Sequence, residues 1–500
     1  MDGPPTGSSE PGRRKPNWAR RVLVGINVLI AISLVGSVLT YAYVRYRNGQ
    51  ITREKVAGLS NSSSAGSPMT ILLVGSNTRT GLDPQEVQEF GSATQVGGAR
   101  SDVTMLVHLD PRSHTVNLLS LPRDLFIPVP GTTKLQRVDA ALNAGPANLV
   151  EVIQNDLGIP INHYVELNFD SFQSVVDALG GVDMQFPTAV RDSFSGLNLK
   201  AGCLHLNGKV ALSVVRARHL EYYEKGRYQP DPYGDLSRIR RNHEFLRVLA
   251  KAVQGKGLNN PLTVNSIVGS VAPKLKVDSG LSLGTMVTLA REFRSLDAAA
   301  VPQATLPVVL APGYRFEGVA YGDVVLPSQP LDQQTIAQFL GAAAPASTGG
   351  GGAITIVNES GLAGTATKAA AQLQTLGWTI AGTMARPAPS SPAESVVYYP
   401  PGKLAIAQQL QAQLGGSVAL GLQAVPGADL QLVIGSDLKV TGGVTPTTTT
   451  AEPTTLPPRA GVTTTTRPPQ GVIVNGDVVT VQDAPQAFDP TACPPGVKGH

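Results

Sequence analysis

The sequence predicts an α/β protein, in which a larger and a smaller α/β domain follow one membrane-spanning helix. Three observations lead to this prediction. Strand-like apolar runs alternate with helical segments from Met69 onwards, a glycine run at residues 349–352 separates a second series of this kind, and residues 22–44 carry no charge. With 500 residues, 42% of them hydrophobic and 15% charged, the chain can form two or three domains with buried cores.

The uncharged stretch at residues 22–44, VLVGINVLIAISLVGSVLTYAYV, is long enough to cross a bilayer as one helix. Five basic residues precede it within residues 13–21, and four follow it within residues 45–55, which favours a cytoplasmic N-terminus. No small-residue cleavage site follows the apolar run, so a retained anchor is predicted. We therefore expect a single-pass protein of the cell membrane, with residues 1–21 as a cytoplasmic tail, residues 45–68 as a tether, and the folded part outside the cytoplasm.

The first predicted domain, residues 69–344, opens with three apolar runs of strand type. They read MTILLVG, DVTMLVHLD and TVNLLSLP, and a fourth run, VDMQF, comes later. Their apolar density is typical of a sheet that is covered on both faces. Helices are predicted over residues 148–156, 169–179, 261–271 and 282–293. Gly180 and Gly181 are expected to be turn residues.

A stretch rich in arginine, residues 214–247, contains seven arginines and one lysine. The apolar run at residues 211–215 predicts an extended segment. In its continuation Arg216 and Arg218 would point to the same side, because side chains alternate along a strand. Two guanidinium groups are therefore expected side by side.

A helix is predicted next, with Asp235 as its N-cap. Arg238 and Arg241 lie three residues apart and share one flank of this helix. An arginine side chain presents a planar fork that can bind two phosphate oxygens at once, and it stays charged near pH 7. A pyrophosphate would suit two such pairs. A solvated basic face, with its arginines paired to nearby carboxylates, is the alternative interpretation of the stretch.

A Gly-rich linker at residues 345–352 leads to a second domain at residues 353–438. Its predicted order is βαββαβ, with strands AITIVN, WTIAG, SVVYY and LQLVIG and helices over residues 367–376 and 404–414. It shows no cluster of acid, base or nucleophile, which favours a binding or docking module. Residues 439–500 are predicted to be a low-complexity tail, because their Thr- and Pro-rich composition cannot bury a core.

The chain has only two cysteines, Cys203 and Cys493. On the oxidising side of a membrane they can form one disulfide, which would tie the tail to the first domain. Two free, buried thiols are the alternative.

Several chemistries find no support in the sequence. The net charge of +4 is small for this length and, without a helix-turn-helix pattern, gives no case for nucleic-acid binding. The histidines do not have the spacing of metal ligands. Ser76 and Ser101 lack a histidine at readable spacing, so a serine hydrolase is not indicated.

Six sequence blocks, in matching order over residues 69–255, resemble the LytR-CpsA-Psr family. They read LLVGSNTR, ARSDVTMLV, LLSLPRDL, HYVELNFDSFQSVVDALGGVD, LNGKVALSVVRARH and GDLSRIRRNHEFL. Residues 353–438, with IVNESGLAGTA and VIGSDL, resemble the LytR C-terminal domain that often follows. The insertion RHLEYYEKGRYQPDPYGDLSR and the Ala/Gly/Pro-rich character resemble the actinobacterial branch.

The resemblance implies the α/β/α sandwich of the LytR-CpsA-Psr (LCP) type, with a central mixed sheet. It also implies that the protein is a membrane-anchored phosphotransferase. Such an enzyme takes a glycopolymer from a polyprenyl pyrophosphate carrier and joins it to peptidoglycan through a phosphodiester. The actinobacterial likeness favours arabinogalactan as the polymer. The expected partners are the lipid-linked glycan, peptidoglycan and the membrane, with no nucleic acid. Hydrolysis of the same pyrophosphate and a non-catalytic envelope scaffold are the alternatives.

The resemblance also implies site residues. The catalytic positions that carry over are Arg100, Asp102, Arg123, Arg218 and Arg238, and the substrate-binding positions are Arg216, Arg241 and Asn242. Phosphoryl transfer needs arginine clamps and a metal ion to neutralise charge, and Mg²⁺ (or Mn²⁺) is expected at Asp102 and Asn77. Asp124 is expected to pair with Arg123. Asn77 stands where the family usually has an acidic residue, and Asn242 where it usually has glutamine.

Overall fold

A computed structural model describes residues 45–46, 49–61, 66–78, 99–231, 234–255, 274–293, 295–297, 300–316, 319–342, 351–386, 392–442, 478–479 and 486–500. The chain divides into two units, Met1–Gln50 and Ile51–His500, and both α/β domains lie in the second. The predicted membrane helix at residues 22–44 and the predicted helix at residues 261–271 fall outside the described residues. Among the helices that are described, none has the length and hydropathy of a membrane span.

The strands and helices of the described residues are numbered here in chain order. The strands are β1 Thr52–Glu54, β2 Met69–Ser76, β3 Ser101–Asp110, β4 Thr115–Leu121, β5 Phe126–Pro128, β6 Leu135–Arg137, β7 His163–Leu167, β8 Val182–Phe186, β9 Val190–Asp192, β10 Leu197–Leu199, β11 Gly202–Leu206, β12 Glu221–Glu224, β13 Arg227–Pro230, β14 Lys276–Asp278, β15 Gln303–Thr305, β16 Val308–Phe316, β17 Val319–Pro327, β18 Ala353–Asn358, β19 Thr379–Ala385, β20 Ser395–Tyr399, β21 Leu414–Gly415, β22 Val418–Leu422, β23 Leu430–Ile434, β24 Lys439–Val440, β25 Val478–Val479 and β26 Thr491–Ala492. The helices are α1 Pro146–Asp156, α2 Phe169–Ala178, α3 Gly208–Arg216, α4 Asp235–Gly255, α5 Leu283–Glu292, α6 Leu331–Leu340, α7 Thr365–Thr375 and α8 Leu404–Gln411, with a 3₁₀ helix at Val138–Ala144.

A mixed sheet of seven strands forms the centre of the first domain, in the order β1-β14-β7-β2-β3-β4-β15. The pairs β1–β14, β7–β2 and β4–β15 are parallel, and the other three pairs are antiparallel. This confirms the prediction of an α/β fold with a central mixed sheet.

The two faces of this sheet differ, and strand β2 shows why. Leu72 and Val74 are fully buried and pack with Leu149 and Val150 of α1. Successive side chains of a strand point to opposite faces, so Leu73 points away from this core. It lines a cavity that is also bordered by helix α4. One face of the sheet is therefore filled by the core, and the other borders open space.

The arginine-rich stretch contains two departures from the sequence-based prediction. Residues 211–215 were expected to be extended but lie in helix α3, because the Asn207 side chain caps this helix by accepting a hydrogen bond from the Val210 N–H. Asp235 was expected to be an N-cap but is itself the first residue of helix α4. The strands that were predicted at β2, β3, β4 and β8, and the helices at α1, α2 and α5, are confirmed within three residues.

The second domain has a five-stranded sheet in the order β19-β18-β23-β20-β22. The predicted βαββαβ pattern lacks strand β22, which pairs in parallel with β20. The predicted helix over residues 404–414 ends earlier, at Gln411, and leaves room for this strand before β23. The domain contacts the first one directly, for example where the Tyr399 hydroxyl donates to the Asn155 carbonyl oxygen at 2.7 Å.

The end of the predicted low-complexity tail is folded onto the first domain. Strand β26 pairs with β8, and Cys493 forms the predicted disulfide with Cys203, so the alternative of two free thiols is wrong. Asp489 is buried against the guanidinium group of Arg240 in helix α4. Apart from the cysteine, the composition of residues 486–500 gave no sign of this docking.

Candidate active site

An apolar channel lies between the open face of the central sheet and helices α2, α3 and α4. Its first part is lined mainly by hydrophobic side chains, namely Leu73, Val103, Met105, Leu167, Phe169, Phe172, Leu212, Val215, Phe245 and Leu246. A further cavity shares Leu73, Met105 and Leu246 with it and continues to Phe293 and Leu296. Space with such a lining suits a hydrocarbon chain.

A polar space, here called the arginine cavity, adjoins the channel. It encloses about 230 Å³ and is lined by Asp102, Arg123, Phe194, Ser195, Arg216, Arg218, His219 and Arg238. Asp102, Arg216 and Arg238 line the channel as well. Four arginines that the resemblance implied thus surround one polar space beside an apolar one.

Arg123 is held by three carboxylates. Its Nη1 lies 2.7 Å from Asp102 Oδ1, its Nε 3.6 Å from Asp124 Oδ1, and its Nη2 3.5 Å from Asp139 Oδ2. Burial lowers the pKa of Arg123, but the carboxylates of Asp124, Asp102 and Asp139 outweigh burial and leave this pKa above its ordinary value. The group is therefore a fixed positive charge, and the expected pairing with Asp124 is present.

Arg238 and Arg218 meet at the carboxylate of Asp235. Asp235 Oδ1 lies 3.0 Å from Arg238 Nη2 and 3.0 Å from Arg218 Nε. The side chain of Arg238 is only 3% exposed, whereas that of Arg218 is 36% exposed. Burial lowers the pKa of Arg238, and the Asp235 carboxylate opposes this change. One carboxylate in the first turn of α4 therefore brings together two arginines that are distant in sequence.

Arg216 approaches the arginine cavity from the end of helix α3. Its Cζ atom lies 4.3 Å from the centre of the Phe169 ring, which is the geometry of a cation–π contact. Phe169 is the first residue of α2 and lines the apolar channel. The guanidinium group thus lies where the apolar and polar spaces meet.

Arg100 and Asn77 contact each other beside this cluster. The Asn77 N–H donates to the Arg100 carbonyl oxygen at 3.0 Å, and Asn77 Oδ1 accepts from the Arg100 N–H at 2.9 Å. The Arg100 side chain is 44% exposed, and its Nη1 lies 3.9 Å from Asp139 Oδ2. Asp139, which also contacts Arg123, therefore connects Arg100 to the cluster.

Arg241 and Asn242 lie on different sides of helix α4. Arg241 is buried, with Nη1 2.7 Å from Asp231 Oδ2 and Nη2 2.5 Å from the Ala217 carbonyl oxygen. Burial lowers the pKa of Arg241, and the Asp231 carboxylate opposes this change. Arg241 thus fixes the segment between Arg216 and Arg218, while Asn242 lines the apolar channel.

Several residues of the site were not found from the sequence. Asp139 orients Arg123, and Phe194 and His219 line the arginine cavity. Asp235 was expected only as an N-cap or as an ion-pair partner at the surface, and the structure places it between Arg218 and Arg238. Asp139 is almost completely buried, and burial raises its pKa while Arg123 opposes this change. A lone carboxylate 16 residues after Arg123 carries no readable pattern, and only the fold brings the two together.

A magnesium ion, which the resemblance implies, finds few protein ligands. Among the residues that the structure describes, no three acidic, histidine or cysteine side chains are placed to hold a metal ion. Asp102 Oδ1 contacts Arg123, and Asn77 Oδ1 accepts from the Arg100 backbone. This donor set fits Mg²⁺ only in the mode in which one carboxylate and several phosphate oxygens share the ion.

Comparison with protein families gives two matches. The model of the LytR_cpsA_psr family matches residues 38–335. The model described as LytR cell envelope-related transcriptional attenuator matches residues 353–438.

Individual proteins from several bacteria are also similar. The chain is 27% identical over 323 residues to the probable cell wall biosynthesis protein LcpB of Corynebacterium glutamicum, covering 64% of this chain and 73% of that protein. It is 29% identical over 270 residues to the polyisoprenyl-teichoic acid–peptidoglycan teichoic acid transferase TagU of Enterococcus faecalis, covering 54% and 76%. Among solved structures, a LytR-Csp2A-Psr enzyme from Actinomyces oris is 29% identical with a TM-score of 0.46, covering 58% of this chain and 95% of that one.

Proposed function

The chain belongs to the LytR-CpsA-Psr family, and from this membership we propose that it transfers a glycopolymer from a polyprenyl pyrophosphate carrier to peptidoglycan. The observation that carries the proposal is the contact between the apolar channel and the arginine cavity. Asp102, Arg216 and Arg238 line both spaces. A molecule with a hydrocarbon tail and a pyrophosphate head has this same division into an apolar and an anionic part.

In the proposed complex the lipid tail lies in the channel and the pyrophosphate lies among the four arginines. All three of Arg123, Arg218 and Arg238 contact carboxylates, but only Arg218 is 36% exposed and can present part of its guanidinium fork to phosphate oxygens, whereas the more buried Arg123 and Arg238 act as fixed charges. Arginines that are already oriented stabilise developing negative charge without reorganisation during the reaction. Asp139, Asp235 and Arg241 are assigned positioning roles, because they contact these arginines or the backbone between them.

The proposed reaction is a displacement at the phosphorus that carries the glycan. The acceptor hydroxyl oxygen forms a bond to this phosphorus, and the bond from phosphorus to the bridging oxygen breaks. The polyprenyl monophosphate leaves with the electron pair of that bond and takes up the hydroxyl proton. The product is a phosphodiester between glycan and acceptor. Entering and leaving oxygens lie roughly in line in such a step.

We assign Mg²⁺ (or Mn²⁺) to Asp102, with the amide of Asn77 as a weaker candidate ligand. A divalent ion, when bound, neutralises charge on the phosphate oxygens. Of these two positions Asp102 alone carries a carboxylate, and the amide oxygen of Asn77 already accepts from the Arg100 N–H. We therefore expect the ion and the pyrophosphate to bind together.

We infer also that residues 22–44 anchor the chain in the cell membrane and that both domains lie outside the cytoplasm. The uncharged stretch supports the anchor, and the disulfide between Cys203 and Cys493 is typical of an oxidising compartment. Arabinogalactan is the polymer we propose, because the sequence resembles the actinobacterial branch of the family; the similar protein LcpB, whose name states only cell wall biosynthesis, comes from Corynebacterium.

The experiment is mass spectrometry of the lipids that co-purify with the full chain from a membrane extract, with Arg238→Lys as the comparison. We expect a polyprenyl pyrophosphate or its monophosphate on the parent and much less on the variant. A parent protein that carries no polyprenyl lipid and binds none when it is added would contradict the proposal.

A further inference from the structure

A third space, here called the outer basin, lies beside the arginine cavity. It encloses about 590 Å³, within the roughly 300–1,000 Å³ typical of sites for small ligands. Phe194 and His219 line both the outer basin and the arginine cavity. The arginine cavity in turn shares Asp102, Arg216 and Arg238 with the channel. The three spaces therefore follow one another, with the arginines in the middle.

An exposed aromatic ring forms the border between the outer basin and the arginine cavity. Phe194 is 76% exposed, the highest value among the exposed large hydrophobic residues that the structure describes. Its ring lies beside that of His219, with 4.4 Å between the ring centres and 39° between the planes. The two rings therefore pack against each other at a tilt. The exposed ring of Phe194 presents an apolar face of the kind on which the C–H face of a sugar ring stacks.

Polar side chains complete the lining of the outer basin. Asn198, and the ion pair of Arg191 with Glu221, provide planar hydrogen-bonding groups around the aromatic surface. Amide, carboxylate and guanidinium groups can each bond two adjacent hydroxyl groups. An aromatic surface with planar polar groups at its edge is the chemistry that recognises a carbohydrate.

The aromatic surface is built into the fold by one buried carboxylate. Asp192 is 1% exposed, and its Oδ1 accepts from the N–H groups of Phe194 at 2.8 Å and Ser195 at 3.2 Å. Its Oδ2 accepts from the His219 N–H at 2.9 Å. His219 directly follows Arg218, so the same carboxylate that fixes both rings also fixes the chain next to a site arginine.

The order of the three spaces indicates which sugar binds here. If the lipid lies in the channel, the polyprenyl phosphate leaves towards the channel. An in-line displacement then requires the attacking hydroxyl to approach from the opposite side of the arginine cavity. The outer basin adjoins the arginine cavity through Phe194 and His219, which do not line the channel, so an acceptor in the basin can reach the phosphorus without passing through the channel.

We propose that the outer basin binds the acceptor glycan strand, and that the ring of Phe194, packed against His219, stacks on a sugar ring of that strand. The proposal rests on the proposed transferase function and adds the acceptor site to it. The acceptor is a polymer of N-acetylated hexoses, and its hydroxyl group would reach the phosphorus from the side of Phe194.

The test compares Phe194→Ala with the parent in steady-state transfer by the full chain, using a lipid pyrophosphate donor and peptidoglycan glycan fragments. We expect the KM for the acceptor to rise at least tenfold, while the KM for the donor changes less than twofold. Phe194→Tyr should restore the acceptor KM because it keeps the ring. Tyr223→Ala, an exposed ring in strand β12 of the same small sheet, is the matched control and should behave like the parent.

A rise in the donor KM alone would show that the basin holds the donor glycan and would overturn the inference, as would an unchanged acceptor KM. A second measurement does not depend on turnover. Calorimetric titration with chitotetraose should show binding to the parent and at least tenfold weaker binding to Phe194→Ala. Equal affinities would contradict the acceptor site. A parent that binds chitotetraose but transfers nothing would contradict the proposed function and leave the basin as a glycan site.

Discussion

Arg238 donates from Nη2 to the backbone carbonyl oxygen of Asp102 at 2.7 Å, and this bond joins helix α4 to strand β3. The same nitrogen lies 3.0 Å from Asp235. Two acceptors on different elements therefore fix one buried guanidinium at the border of the channel and the arginine cavity. The site depends on this fixed geometry as well as on charge.

Replacing arginine by lysine separates geometry from charge. Arg238→Lys and Arg218→Lys keep the positive charge but lose two-point donation, so we expect polyprenyl pyrophosphate to bind roughly 10- to 100-fold more weakly. Arg227→Lys, at an exposed position of the same arginine-rich stretch, is the matched control. The measurement is the affinity of the parent and of each variant for polyprenyl pyrophosphate in detergent micelles. Variants that bind as tightly as the parent would show that the guanidinium groups of Arg218 and Arg238 do not hold the pyrophosphate.

The proposed metal site can be tested with a substitution of Asn77. Asn77→Asp adds a carboxylate of nearly the same size that can still accept from the Arg100 N–H. We expect tighter Mg²⁺ binding in calorimetric titration, with the parent binding the ion well only when a lipid pyrophosphate analogue is present. Asp102→Asn should lose metal binding in both conditions. Equal Mg²⁺ affinities for the parent and Asn77→Asp would place residue 77 away from the ion.

The disulfide between Cys203 and Cys493 should stabilise the docking of residues 486–500 on the first domain. We expect that opening the Cys203–Cys493 bond weakens the docking of residues 486–500, which the β26–β8 pairing and the Asp489–Arg240 ion pair also hold. Loss of such a bond typically costs about 2–5 kcal/mol, so we expect a lower melting temperature in reductant. Cys203→Ser with Cys493→Ser should melt at the lower temperature with or without reductant. A parent whose melting is unaffected by complete reduction would show that the docked tail does not stabilise the fold.

A buried carboxylate in the second domain predicts an unusual dependence on pH. Burial, reinforced by Asp437, raises the pKa of Glu394 well above its ordinary value. The folded state then keeps a proton that the unfolded state releases, so stability falls as the pH rises above the unfolded pKa. The Glu394→Gln variant has no ionisable group at this position, so its stability does not fall in this way as the pH rises. The variant should be more stable than the parent at pH 7 and nearly equal to it near pH 4, as measured by urea unfolding.

Asp429 supplies the opposite case in the same domain. The Ala353 N–H and Lys403 lower its pKa, so its contribution is present at neutral pH and lost as the pH falls. Asp429→Asn should therefore be less stable than the parent at pH 7. If Glu394→Gln and Asp429→Asn shifted stability in the same direction, the assigned environment of one of them would be wrong.

The sequence was informative where a pattern is local. Strands β2, β3 and β4 followed from apolar density, and Arg218 and Arg238 followed from family blocks. The prediction of an extended segment at residues 211–215 was wrong, because the periodicity of a short apolar run does not distinguish a strand from a helix. In the structure these residues lie in a helix that the Asn207 side chain caps. Asp139, Asp192 and Phe194 could not be found, because their roles arise only from contacts across the fold.

Transfer of the glycan and its phosphate to peptidoglycan is tested most directly by labelling the phosphorus atom. The full chain is incubated with a lipid donor that carries ³²P in the phosphate next to the glycan, and with peptidoglycan fragments as the acceptor. We expect label in the fragments, resistant to phosphomonoesterase as a phosphodiester must be, together with unlabelled polyprenyl monophosphate. Label that appears only in free glycan phosphate would show hydrolysis, and label that stays on the lipid would show no reaction; either result would contradict transfer to peptidoglycan.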